Sequence, residues 1–169
     1  MSKAHIFQDT NAYHTRLDIA PPNGLDQRMD IRPLSPDHAV SPQIDPADLP
    51  AIAAAGYVRV ICNRPDAEIP PSHHAAVIED AARAAGLDFV NHPVTHPTMG
   101  PQAIDRQMQA IDEAPGPVLA YCASGTRCSM LWALGRAGAL GIDEVLEATG
   151  KAGYDLAPLR PQLKAFSGR

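Results

Sequence analysis

The chain of 169 residues has little cysteine: Cys62, Cys122 and Cys128 and no others. Three is too few, and odd in number, for the disulfide framework of a secreted domain. No two of them form a C-x-x-C pair, so structural zinc has little support. Of the seven histidines only His92 and His96 make a suggestive pair. They stand four apart on a segment broken by Pro93 and Pro97, without the helical spacing a zinc site commonly uses. No metal and no cofactor is expected.

Basic charge is also short. The net charge is −5 and the pI about 5.7, which argues against nucleic acid or an acidic membrane as partner. No apolar stretch approaches a membrane span, and the opening MSKAHIFQDTNAYHTRLDIAPP lacks a signal-peptide core. The expectation is a cytoplasmic protein. Internal repeats are absent, and residues 1–28 carry no sustained periodicity, reading as an extension that is flexible or laid over the surface. The domain proper is expected from Met29 to the end.

With 45% hydrophobic and 20% charged residues, the remainder can bury a core as one domain. Its pattern alternates. HAVSPQ (38–43) is a weak strand. DPADLPAIAAAG (45–56) is a helix, with Asp45 as N-cap, Pro46 in its first turn and Gly56 at its exit. YVRVIC (57–62) is a buried strand, 73–86 an alanine-rich helix, DFVNHPV (88–94) a strand and 101–113 a helix. PVLAY (117–121) is a strand, 127–140 an apolar helix packed in the core through Leu131, Trp132, Leu134 and Leu140, and two shorter helical segments fall near 142–149 and 155–166. The basic residues Lys151, Arg160, Lys164 and Arg169 read as a solvated face. Strands alternating with helices imply an α/β fold: a mostly parallel central sheet of about four to five strands, flanked by helices.

Ligands bind beyond the carboxyl ends of such strands. There the chain places Cys62 with Asn63-Arg64-Pro65-Asp66, then Thr95 and His96, then Cys122. The run PVLAYCASGTRC (117–128) carries the chemistry. A buried strand delivers Cys122 to a loop of small residues, Ala123, Ser124, Gly125 and Thr126, whose amides can converge on an anion at the start of a helix. Arg127 adds a cation suited to bidentate contacts. Each of these features favours a thiolate.

CASGTR resembles the phosphate-binding loop of cysteine-dependent protein phosphatases and the active loop of rhodanese sulfurtransferases. Together with MDIRPLSPDHAVSPQI, VRVICNRPDAE, FVNHPVT and APGPVLAYCASGTRC, it resembles the phosphatase-like domain of the beta-lactamase hydrolase-like proteins, a small bacterial family, over about residues 29–140. The resemblance implies a dual-specificity-phosphatase-like fold with Cys122 as nucleophile and Arg127 as anion clamp. It leaves the reaction open, since members carry either a phosphatase or a sulfurtransferase label.

Two departures bear on that choice. Phosphatases of this type place five residues between Cys and Arg, whereas Cys122 and Arg127 enclose four, the rhodanese spacing. A phosphoryl group needs its three equatorial oxygens cradled, and a persulfide sulfur needs less room. The general acid of dual-specificity phosphatases, an Asp roughly thirty residues before the nucleophile, has no counterpart in HPVTHPTMGPQ. His96 or Asp66 could substitute. Sulfur transfer needs no strong acid, because thiolates leave readily.

The expected function is therefore a thiol-dependent sulfurtransferase that forms a persulfide on Cys122. Its partners would be a small anionic sulfur donor and an acceptor thiol. The alternative is a cysteine-dependent phosphatase that forms a phosphocysteine on Cys122 from a phosphoester. A third reading is a non-catalytic redox- or anion-sensing module. Arg64 could add a second cation or pair with Asp66 or Glu68. Cys128 follows Arg127 where related loops carry Ser or Thr; it could resolve an oxidised or persulfidated Cys122, or merely replace the hydroxyl. Cys62 could reach Cys122 from the neighbouring strand or fill the core.

Overall fold

The computed structural model describes residues 29–169, so the extension expected over residues 1–28 lies outside the described residues. Five strands, β1 (Arg32–Ser35), β2 (His38–Ser41), β3 (Arg59–Cys62), β4 (Asp88–Asn91) and β5 (Val118–Tyr121), form one sheet in the order β1-β2-β5-β3-β4. Only β1 runs antiparallel to its neighbour; β2, β5, β3 and β4 are parallel. The mostly parallel α/β sheet expected from the alternating pattern is present.

Successive strand residues face opposite sides, and that parity divides the core. Val40, Ile61, Val118 and Ala120 face one cluster, covered by α3 (Pro101–Asp112), α4 (Thr126–Leu140) and side chains of α5 (Ile142–Lys151) and α6 (Arg160–Ser167). Ala39, Val60, Leu119 and Tyr121 face the other, under α1 (Leu49–Ala54) and α2 (Ala75–Ala84). All four residues of β5 are buried, as both faces of a central parallel strand must be.

Local departures from the pattern have simple causes. β1 was not expected because Pro33 lies within it; an edge strand tolerates the missing donor, and the β1–β2 register shifts between Pro33 and Ser35. The helix expected over 45–56 starts with a 3₁₀ turn, Pro46–Asp48, before α1. Asp45 caps that turn and Asp48 reaches back to the Asp45 amide at 2.8 Å, a reciprocal capping box. Leu131, Trp132 and Leu134 are in the core, but Leu140, expected there, is the last residue of α4 and is 38% exposed.

Candidate functional site

β5 ends at Tyr121, and the next residue, Cys122, is 1% exposed. The chain then turns through Ala123, Ser124 and Gly125 into α4, whose first residue is Thr126. Gly125 sits at the N-cap with φ +89°, a backbone conformation open to glycine and strained for other residues. The turn sends the Gly125 N–H back onto the Cys122 Sγ at 3.1 Å. The sulfur thus lies at the N-terminal end of a fifteen-residue helix, where the dipole favours an anion.

The Cys122 thiol pKa falls from 9.0 to about 5. Hydrogen bonding from the Cys128 side chain contributes most; burial opposes it, and the backbone N–H groups of Cys128, Ser124 and Gly125 add to the lowering. Cys128 itself is fully buried, and burial pushes its thiol well above the usual value. It therefore stays a neutral S–H that can donate to the Cys122 thiolate. Cys62, Cys122 and Cys128 are all free thiols.

Arg127 is anchored from outside the loop. Its guanidinium donates to both carboxylate oxygens of Glu68, at 2.8 and 2.7 Å, and to the Val94 carbonyl at 2.9 Å. A fork held on two sides cannot swing away, so its charge stays beside Cys122, and each ion stabilises the other's charged form. The guanidinium holds the Glu68 carboxyl below its ordinary pKa. Arg64 lies behind this pair, donating to the Glu68 carbonyl at 2.9 Å and to the Gln43 side chain at 3.2 Å. Arg64 thus packs around Glu68, the pairing weighed from the sequence, with its Nε 3.8 Å from the carboxylate.

A cavity of about 430 Å³ opens over the loop, lined by Glu68, Thr95, His96, Pro97, Ser124, Thr126 and Arg127. The structure brings His96 to this wall but leaves Asp66 elsewhere: the Asp66 carboxylate accepts the Ala75 N–H at 2.8 Å, capping α2. Cys62 is paired in register with Tyr121, so the pleat turns it to the face opposite Cys122, in the cluster under α1 and α2. Its S–H donates to the Arg64 carbonyl at 3.3 Å, and burial raises its pKa.

The roles of four residues escaped the sequence reading. Glu68 was seen as a partner for Arg64, not as the anchor of Arg127. The Asn63 and Gln107 amides bond each other at 2.9 and 3.0 Å, tying the loop after β3 to α3. Tyr154, given no role from the sequence, is 6% exposed and donates to the Ser124 carbonyl at 2.9 Å. Among the described residues, no three His, Cys, Asp or Glu side chains group as a metal site, and no helix is long and apolar enough to cross a membrane.

Comparison with known proteins places this geometry in a family. The model of the phosphatase-like domain of beta-lactamase hydrolase-like proteins matches residues 30–139. The chain is 41% identical over 91 residues to the beta-lactamase hydrolase-like protein of Agrobacterium fabrum, covering 54% of this chain and 21% of that one. It is 38% identical over 121 residues to that of Xylella fastidiosa, covering 70% of this chain and 28% of the relative. The chain therefore spans only about a quarter of these curated relatives. A candidate phosphatase from Neisseria meningitidis superposes with a TM-score of 0.74 at 36% identity, over 82% of this chain and 99% of that one. P. aeruginosa TpbA, solved with phosphotyrosine, shares the fold with a TM-score of 0.57 at 17% identity, over 85% of this chain and 86% of that one. These likenesses favour the phosphatase alternative over the sulfurtransferase reading that the loop spacing suggested. The chain belongs to the phosphatase-like domain family of the beta-lactamase hydrolase-like proteins, with a dual-specificity-phosphatase-like fold.

Proposed function

We propose that this chain is a cysteine-dependent phosphatase for phosphate monoesters with acidic leaving groups, aryl phosphates above all. The observation that carries the reading is the Cys122 thiolate, with a pKa of about 5, beside a guanidinium that Glu68 and Val94 hold in place. The thiolate attacks phosphorus, an S–P bond forms, and the P–O bond breaks with its electron pair on the departing oxygen. Water then attacks the phosphocysteine, the S–P bond breaks, and phosphate leaves with Cys122 again a thiolate. Arg127 and the loop N–H groups neutralise the equatorial oxygens.

The limit to acidic leaving groups follows from the cavity. Of the two wall groups that could protonate a leaving oxygen, Glu68 is kept ionised by Arg127 and has no proton to give, and the His96 ring makes no hydrogen bond among the described residues that would aim it at that oxygen. Protonation of a leaving alkoxide is worth about 10²- to 10⁴-fold, so alkyl phosphates turn over slowly and aryl phosphates, whose phenolates leave unaided, do not suffer equally.

A second reading, sulfur transfer, is favoured by the four-residue gap between Cys122 and Arg127. There the thiolate attacks the sulfane sulfur of a small anionic donor, the donor's S–S bond breaks, and an acceptor thiol takes the outer sulfur from the Cys122 persulfide. Parallel assays separate the two: an aryl phosphate in one arm, thiosulfate or glutathione persulfide with a thiol acceptor in the other, each with Cys122→Ser as control. Phosphate release that vanishes in Cys122→Ser supports the phosphatase. Sulfur transfer without phosphate release replaces it with the second reading.

A further inference from the structure

Within the thiol loop, Ser124 Oγ accepts the Thr126 N–H at 3.3 Å and Ser129 Oγ donates to the Gly125 carbonyl at 2.8 Å, but the Ser124–Gly125 peptide that faces the sulfur is held from outside the loop. Tyr154 lies just after α5, beyond the stretch the family model matches. Its hydroxyl donates to the Ser124 carbonyl at 2.9 Å. That carbonyl and the Gly125 N–H belong to one peptide unit, which is planar and points the two groups in opposite directions. The far end of the same plane is the N–H that reaches the Cys122 sulfur at 3.1 Å. A hydrogen bond accepted at the carbonyl also polarises the N–H and strengthens its donation.

We propose that Tyr154 is a positioning residue that aims the Ser124–Gly125 peptide at Cys122 and thereby keeps its sulfur a thiolate. The phenol is seated to do this. Its backbone N–H donates to the Thr149 carbonyl at 2.8 Å, and Arg32 lies over its ring, 5.0 Å from the centroid. Arg32 in turn donates to the Ala152 carbonyl at 3.1 Å and pairs with Asp30 at 2.6 Å. Burial raises the Tyr154 pKa to about 12, so the hydroxyl remains a donor at any pH where the enzyme would work. Gly125 fits the same arrangement: a Cβ there would overlap the Tyr154 hydroxyl and fall at φ +89°. The sheet edge, through Arg32 on β1, and the end of α5 therefore meet beneath the thiol loop.

The proposal rests on Cys122 working as a thiolate, but its test does not depend on which group Cys122 transfers. The test is Tyr154→Phe, which keeps the ring and removes the donor. Iodoacetamide alkylation of Cys122, followed by peptide mass spectrometry across a pH series, gives the thiolate pKa. The expected result is a rise of roughly half to one unit, three- to ten-fold less thiolate below the pKa, with urea unfolding little changed. A smaller rise is expected for Arg32→Gln, which loosens the ring's seat. A Cys122 pKa identical to wild type in a folded Tyr154→Phe protein overturns the proposal. Should that variant fail to fold, Arg32→Gln decides by the same alkylation series: a raised Cys122 pKa supports the positioning role, and an unchanged one in the folded variant overturns it. Loss of phosphatase turnover with an unshifted pKa would implicate Tyr154 in something other than positioning.

Discussion

Removing the Cys122 sulfur should change how stability depends on pH, by an amount fixed by its ionisation. In the folded chain its pKa is about 5 against 9.0 for the ordinary thiol. Above the higher value both folded and unfolded chains carry a thiolate; below the lower one both carry a thiol. Between them the unfolded chain binds one proton more, so stability rises with pH by about 1.4 kcal/mol per unit. This contribution is lost as pH falls through the folded value. Two other buried groups titrate nearby. Burial lowers His38 to about 4 and also lowers His92. Both are present in wild type and in Cys122→Ser, so the difference between the two proteins isolates the thiol. Urea unfolding under reducing conditions at about pH 6 and about pH 8 should show wild type gaining about 3 kcal/mol more than Cys122→Ser. Parallel pH dependence in the two proteins would mean that Cys122 is not a thiolate at neutral pH, and the reasoning from the loop amides, Cys128 and the α4 terminus would fail.

Cys128→Ala should raise the Cys122 pKa by roughly one unit, and Cys128→Ser should leave it near the wild-type value because the hydroxyl keeps a donor there; the pH profile of alkylation reads both. Glu68→Gln frees the Arg127 fork from its bidentate partner and should lower kcat/KM about 10- to 100-fold with little loss of stability, since Glu68 is partly exposed. His38 is fully buried with both ring nitrogens unpartnered. Because its folded pKa of about 4 lies below the ordinary 6.5, the unfolded chain binds its proton first and stability falls as pH drops through that window. His38→Phe should flatten that acid limb in urea titrations at successive pH values.

The part of the site that local sequence carries was legible. Val118–Tyr121 is a short apolar run that must be buried, and the small residues after Cys122 must turn into the apolar helix α4. Parity was the subtler clue: because Cys62 pairs with Tyr121, it must face the side opposite Cys122, but that register appears only once the sheet order is known. Glu68 and Arg127 are far apart in sequence and meet through the fold; nothing in the polar loop NRPDAEIPPS distinguishes Glu68 from Asp66, which caps α2 instead. Tyr154 sat in a tail whose basic residues suggested solvent, and one aromatic in a polar stretch carries no periodicity to mark it as buried. β1 was hidden by Pro33, a residue that argues against a strand except at an edge.

The most direct measurement is to trap the covalent intermediate. Wild-type protein is mixed with an aryl phosphate, quenched within the first turnovers, digested and weighed by mass spectrometry. A phosphoryl group on the peptide that carries Cys122, absent from Cys122→Ser, is the predicted result. An unmodified Cys122 with the phosphoester, alongside a persulfide on the same residue when a sulfane donor is supplied, would contradict the phosphatase and assign the thiolate to sulfur transfer.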